Sequence, residues 1–535
     1  MFKKITAVIA SALMLLTVTG CSSSGSAGNS ALKSDGGVTA FIGNSIFEDS
    51  LDPVKGAMSY GYPFINNALI KVKPDSGYTG DLAESWEISD DALTYTFKLK
   101  EGVKFSDSSD FTADDVVFTY NEVKSHPANN ENIDLTRLES VEAVDDYTVA
   151  FHLSERNSAF FDTTARLQIV PSDAYDSESF DRYPLGTGAW TVLQYDPNQQ
   201  IILQANENCF DGRPGLDRVS LIYMDPDSAF AAAQSGQIDI VMVGAGFANE
   251  TIPGMSLIPF ETMDVRSVSL PLQKEHSFTN DEGRTVTVGN DVTSDIAVRK
   301  ALAIGIDRER IIMNAFNGVG RPAVSFTGNL IWALNDSYDD NRTEEAVSLL
   351  ESAGWTDINS DGIREKDGLR CSFDVYAPGG DNDRYLLAAA LSENARELGI
   401  EIVVKSASWD EIAELEFSSG VVWGWGQYSP ELIHSLYGSE LFTKGLFDNV
   451  VGFQSEEIDE KIEAAVTANT QDEATENWKA AQQLANAEYS YLFLVNIEHC
   501  YFVNDSLDLS ADTQIPHPHG HGIPVICNMK DWKWK

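Results

Sequence analysis

Three stretches of this chain have residue types that could do chemistry. In Pro516-His517-Pro518-His519-Gly520-His521-Gly522, three of the eight histidines occupy alternate positions. That spacing puts the imidazoles on one face of an extended segment, where they can address one metal ion or serve as hydrogen-bonded side chains in a tight turn. In Trp423-Gly-Trp425-Gly-Gln427-Tyr428-Ser-Pro-Glu431 the rings can stack on a flat or cationic ligand, or simply pack a core. Asp357-Ile-Asn359-Ser-Asp361-Gly362 sets oxygens at positions one, three and five of a calcium-type loop with glycine at six. Position twelve is Gly368 where a bidentate glutamate is needed, so this stretch reads as a hairpin turn.

Enzymatic motifs are missing. There is no G-x-S-x-G elbow, no H-E-x-x-H and no Walker A loop, so the chain reads as a non-enzyme without a cofactor of its own. A formal charge of −45 argues against nucleic acid, because nothing here could neutralise phosphates. The same charge favours solubility and cationic ligands. Cys209, Cys371, Cys500 and Cys527 match no metal-ligand spacing; Cys500 with Cys527 is a possible disulfide, and buried free thiols are the alternative.

At 535 residues, with 43% apolar and 10% aromatic content, the chain should fold as two or three packed domains. Lys3 and Lys4 followed by the apolar run Ile5 to Val18 form a signal peptide, too short to span a bilayer. Ser22 to Ser34, rich in Ser, Gly, Ala and Asn, is a flexible tether. The best-patterned stretch is Asp81 to Tyr120. Leu93, Tyr95, Phe97 and Leu99 fall on one face of a strand that pairs back across Ser89-Asp90-Asp91. Thr112 and Asp115 then open a helix. Tyr60 and Tyr62, which could reach a ligand, precede a helix-like run from Phe64 to Ile70. Arg166 ends a helical run that starts at Ser158, and Asp295 to Ala323 carries apolar residues at helical spacing. The alternation of helices and strands from Thr343 to Lys405 suggests an α/β lobe.

The run DLAESWEISDDALTYTFKLKEGVKFSDSSDFTADDVVFTY resembles the signature of the solute-binding proteins of bacterial ABC importers, in the family that takes up oligopeptides, dipeptides and nickel. Ser50-Leu51-Asp52-Pro53, Gly236-Gln237-Ile238-Asp239 and Asp295 to Ala323 resemble the same family, which spans nearly all of the chain after the tether. The resemblance implies an α/β, two-lobed periplasmic-binding-protein type II fold with an additional small domain. It places lobe I at 37–75, 190–292 and 495–535, the inserted domain at 76–189 and lobe II at 293–494. Residues 1–20 are the signal and 21–36 the tether. Val18-Thr19-Gly20-Cys21 resembles a lipobox, which makes Cys21 a lipid anchor outside the cytoplasmic membrane. Implied partners are a permease and an ATPase subunit, with a short peptide or a metal chelate, such as nickel, as the cargo of a monomer; a surface peptide sensor without transport is the further alternative. Tyr60, Tyr62, Arg166, Trp423, Trp425, Gln427, Tyr428 and Glu431 become ligand-site candidates, with His517, His519 and His521 as candidate metal ligands. Gln427 stands where peptide-binding members carry an aspartate for the peptide amine, which removes that charge-assisted anchor.

Overall fold

The run from Asp81 to Tyr120 folds as its pattern predicts. A computed structural model describes residues 36–44, 50–57, 64–73, 77–130, 133–280, 283–326, 330–334, 340–445, 447–516 and 524–535. Ala83–Ile88 and Thr94–Leu99 pair antiparallel, and Tyr95, Phe97 and Leu99 are buried while Lys98 stays exposed. Side chains fasten the reversal: Ser89 Oγ donates to Asp91 Oδ1 (2.6 Å) and accepts from the Thr94 amide (2.9 Å). The Thr112 amide donates to Asp115 Oδ2 (2.8 Å) at the start of the helix Ala113–Ser125, which sets a carboxylate at the positive end of the helix dipole. Thr148–Leu153 and Leu138–Asp145 complete a separate four-stranded sheet. Its core is aromatic: Phe151 meets Phe97, Tyr120 and Phe160 edge to face.

The rest of the chain is organised on an 11-stranded mixed sheet. At one end, Gly37–Phe41 lies parallel to both Arg218–Ile222 and Ile240–Val243. At the other end, Ser372–Pro378 lies parallel to both Glu401–Ala407 and Gly420–Trp425. Two long antiparallel strands, Met255–Ser269 and Tyr491–Asn504, run through the middle and belong to both ends. Ile240–Val243 pairs with Cys500 to Val503, whereas Gly420–Trp425 pairs with Val265 to Val268. Between these zones the ladder slips: Glu261 faces Glu498, but Val265 faces Asn496. Thr262 Oγ1 fills the gap by donating to the Ile497 carbonyl (2.7 Å) and accepting from the Asp264 amide (3.0 Å). Such a bulge bends a strand where it occurs.

Three readings of the sequence meet the structure in detail. Phe64 to Ile70 is not a helix: the Phe64 and Ile65 carbonyls accept from Trp190 (2.9 Å) and Gly188 (2.7 Å), which holds the chain open. Asp295 to Ala323 divides into helices Ile296–Gly305 and Arg308–Phe316, the second capped by Asp307, which accepts from the Arg310 amide (2.9 Å). The fully buried Arg308 guanidinium holds this break by donating to the Ala303 (3.0 Å), Ala323 (2.9 Å) and Phe493 (2.7 Å) carbonyls. Asp357, Asn359 and Asp361 do form a hairpin turn, accepting from the amides of Gly362 (3.0 Å), Asp361 (2.8 Å) and Ile363 (2.9 Å) respectively. Cys209, Cys371, Cys500 and Cys527 are all unpaired.

Candidate functional site

In an open α/β sheet a ligand sits beyond the carboxyl ends of the parallel strands, at the point where the strand order reverses. Here that place is well defined. Ser372–Pro378 lies between Glu401–Ala407 and Gly420–Trp425 and parallel to both, so the chain steps first to one side of it and then to the other. The residues that follow the three carboxyl ends are Asp381 to Arg384, Ser408-Trp409 and Gly426-Gln427. Asp381 caps the helix Asn382–Arg396, accepting from the Arg384 amide (3.0 Å). Arg384 lays its guanidinium over Trp409, 5.6 Å from the ring centroid. Trp409 stacks on Trp423 (6.0 Å, 28°), and Phe447 meets both rings edge on. Trp409 and Phe447 keep 39% and 41% of their surface exposed, so this aromatic cluster faces open space. Arg266 pairs with Asp264 at 2.6 Å, next to the slip in the long strands. Burial, reinforced by the Arg266 charge, pushes the pKa of Arg384 down to about 10.

The candidates from the sequence divide into two groups. Trp423 and Trp425 are buried pillars whose indole N–H groups donate to Ser269 Oγ (3.0 Å) and Ser267 Oγ (3.1 Å). They carry the floor on which Trp409 rests. Gln427 is half-buried and makes no hydrogen bond among the described residues. Tyr428, Glu431 and Arg166 come together at a second place, where the four-stranded module meets the large sheet's helices. Arg166, the last residue of Phe160–Arg166, donates to Asp162 Oδ2 (2.6 Å) and lies 3.8 Å from Glu431. Tyr78 donates to the other Asp162 oxygen (2.9 Å). Burial raises the pKa of Glu431 against the pull of the Arg166 guanidinium. Tyr428 donates its hydroxyl to the Pro516 carbonyl and accepts from Trp332 Nε1 (2.7 Å) on its own carbonyl.

The same contact has a backbone part. Ser158 donates its amide to Val466 (2.9 Å) and its hydroxyl to Ala465 (2.9 Å), and its carbonyl accepts from Gln471 (3.1 Å). A cavity of about 20 Å³ remains among Tyr78, Asp162, Trp332, Tyr428 and Trp478, room for about one water molecule. Tyr60, Tyr62, His517, His519, His521 and Cys21 lie outside the described residues. Among the described residues no three His, Cys, Asp or Glu side chains are grouped to hold a metal, and no helix is long and apolar enough to cross a membrane. Arg384, Trp409 and Arg266 were not singled out from the sequence. The usable signal was positional: a glycine pair after a β-rich run, Gly379-Gly380, just ahead of a capped helix.

Comparison with known proteins agrees with this architecture. Residues 77–440 match the family model described as bacterial extracellular solute-binding proteins, family 5 Middle. The oligopeptide-binding protein AppA of Bacillus subtilis (strain 168) is 28% identical over 523 residues, covering 92% of this chain and 93% of AppA. The crystal structure of NikZ from Campylobacter jejuni in complex with Ni(L-His) superposes with a TM-score of 0.72 at 21% identity, covering 93% of this chain and 99% of NikZ. That of NikA from Brucella suis in complex with Fe(III)-EDTA gives 0.78 at 19% identity, covering 93% and 100%.

Proposed function

Because the chain belongs to the bacterial extracellular solute-binding proteins of family 5, we propose that it captures a short peptide between two lobes and hands it to an ABC permease. Members of this family bind and deliver solutes for ABC transporters and are not enzymes. The observation that carries the reading is the pair of long strands shared by both ends of the sheet. Their register slip at Glu261 to Val265 would serve as the hinge, since among the described residues it bends the two long strands common to both ends. The ligand would enter beside Arg384 and Trp409, close to Arg266 on the same long strand. Docking of Ser158 on Ala465 and Val466, with Arg166 facing Glu431, would be the latch of the closed form.

Peptide is preferred because the oligopeptide-binding relative aligns over 92% of this chain. A metal chelate, nickel with small carboxylate ligands, is the second reading; the guanidiniums in the cleft suit a chelator's carboxylates as well as a peptide's. In either case Cys21 would carry the lipid that holds the receptor outside the cytoplasmic membrane, and radiolabelled palmitate should label wild type and not Cys21→Ser. Isothermal calorimetry of ligand-stripped protein tests the cargo. Micromolar or tighter binding of a tri- to pentapeptide pool, with no heat from nickel plus L-histidine, is the expected result. Binding of the nickel complex alone would replace the peptide reading with the chelate one.

A further inference from the structure

We infer that Phe447 is a specificity-determining residue of the cargo site, held by a strained loop as a wall on which a neutral apolar side chain of the peptide packs. The inference rests on the reading of the chain as a peptide receptor and names the side-chain class that its ligand carries.

Phe447 has φ +76°. For a bulky residue that is a true outlier, at a conformation where glycine would sit without strain. It does not stand alone. Thr443 (φ +64°) and Asn449 (φ +39°), within the same loop, also hold left-handed backbone. Such conformations persist only where the surroundings over-determine them, and they collect at ligand clamps. Here both ends of the loop are pinned. The Thr443 carbonyl accepts from Asn280 Nδ2 (3.0 Å). Asn449 is fully buried; its amide donates to the Ser435 carbonyl (2.7 Å), and its Nδ2 donates to the Gly438 and Phe453 carbonyls (both 2.9 Å). The loop therefore keeps its shape before any ligand arrives.

What the strain secures is an exposed ring. Phe447 keeps 41% of its surface open while it touches Trp409 (5.6 Å) and Trp423 (5.4 Å). A lone exposed phenylalanine is ordinary. One that costs backbone strain and stands beside a tryptophan also 39% exposed is not. The place for a cation on this cluster is taken, since Arg384 lies over Trp409 at 5.6 Å and Trp423 stacks on the same ring. The indole N–H groups of Trp423 and Trp425 are committed to Ser269 and Ser267. What Phe447 turns to the open space is ring carbon, which favours an aliphatic or aromatic side chain over a polar one.

Calorimetry on the full chain tests this with two pools of alanine-based tetrapeptides. One pool carries a single Phe, Tyr or Leu at each position in turn, the other a single Ser, Gln or Asn. Wild type should bind the apolar pool about 10–100-fold more tightly, the worth of burying one large side chain. Phe447→Ala and Phe447→Gly should each bring the two pools within about threefold, because the ring that distinguishes them is gone. These variants also separate contact from structure. Glycine relieves the positive φ and alanine does not, so Phe447→Gly should melt above Phe447→Ala while the two bind alike. Phe447→Leu keeps an apolar surface and should fall between wild type and alanine. Equal binding of the pools by wild type, or an apolar preference that survives in both variants without the ring, overturns the subsite and leaves the receptor reading standing. Affinities that follow the melting temperatures of the alanine and glycine variants give Phe447 a structural role only and overturn it too. Binding of neither pool overturns both readings. If the alanine variant fails to fold, the glycine variant decides.

Discussion

Gly426→Ala should abolish measurable ligand binding and remove about 2–6 kcal/mol of stability, the sum of a strained backbone and an overpacked contact. Gly426 adopts φ +155°, and a Cβ built there would lie 2.2 Å from the Met263 carbonyl oxygen, 2.7 Å from its carbon and 3.1 Å from the Asp264 nitrogen. These are backbone atoms of the long strand at its slip, so no side-chain rotation relieves the clash. Either Trp425 must leave its pairing with Val265, or the segment that holds Asp264 and Arg266 must move. Both changes reach the cleft. Gly362→Ala is the control: its φ is +88°, and nothing lies within 4 Å of the added Cβ. That change should cost about 1 kcal/mol and leave affinity unaltered. Urea unfolding and calorimetry on the two variants give the comparison. Equal losses in both would mean that the close approach of Gly426 to the hinge strand has no consequence.

Glu416 should make the protein less stable as pH rises from about 4.5 to about 8, opposite to the usual effect of a paired carboxylate. The side chain is 1% exposed, and among the described residues neither carboxyl oxygen has a well-formed hydrogen bond. Burial raises its pKa to about 8; the nearby Phe447 amide and Arg284 oppose this weakly, and Asp448 and Glu414 add to it. In the unfolded chain the group ionises near pH 4.3, as an exposed glutamate does. Between those two values the folded protein holds one proton more than the unfolded, so its stability is complete below the lower value and declines toward the upper. The slope approaches about 1.4 kcal/mol per pH unit in the window, a few kcal/mol in total. Glu416→Gln keeps the shape without the proton. It should melt well above wild type at pH 8 and near wild type at pH 4.5. Parallel melting curves across that range would show that Glu416 is not the group responsible.

Much of this fold could be read in the residues because local pattern and tertiary role agree. Tyr95, Phe97 and Leu99 alternate on a half-buried strand, and Thr112 with Asp115 caps a helix by chemistry confined to four positions. The hinge strand shows the opposite case. Met255–Ser269 contains Pro259, and its second half is buried on both faces, so it has no clean alternation to detect. Phe64 to Ile70 misled because a short apolar run carries no memory of its partner, here Gly188 and Trp190. The site divides in the same way. The aromatic run at Trp423 and Trp425 drew notice by composition, yet those rings are pillars with satisfied N–H groups. Arg384 and Trp409 matter because separate parallel strands end side by side, a relation that exists only after folding. Arg166 and Glu431 were each singled out on the chain, but their approach to 3.8 Å belongs to the docked module.

The central claim is that the two ends of the sheet close on a ligand by bending at Glu261 to Val265. Small-angle X-ray scattering of ligand-stripped and ligand-loaded protein, with occupancy fixed by calorimetry on the same samples, tests it most directly. The account predicts that loading lowers the radius of gyration and narrows the pair-distance distribution, because the ligand binds the closed state preferentially. Superimposable curves from stripped and fully loaded protein would contradict it.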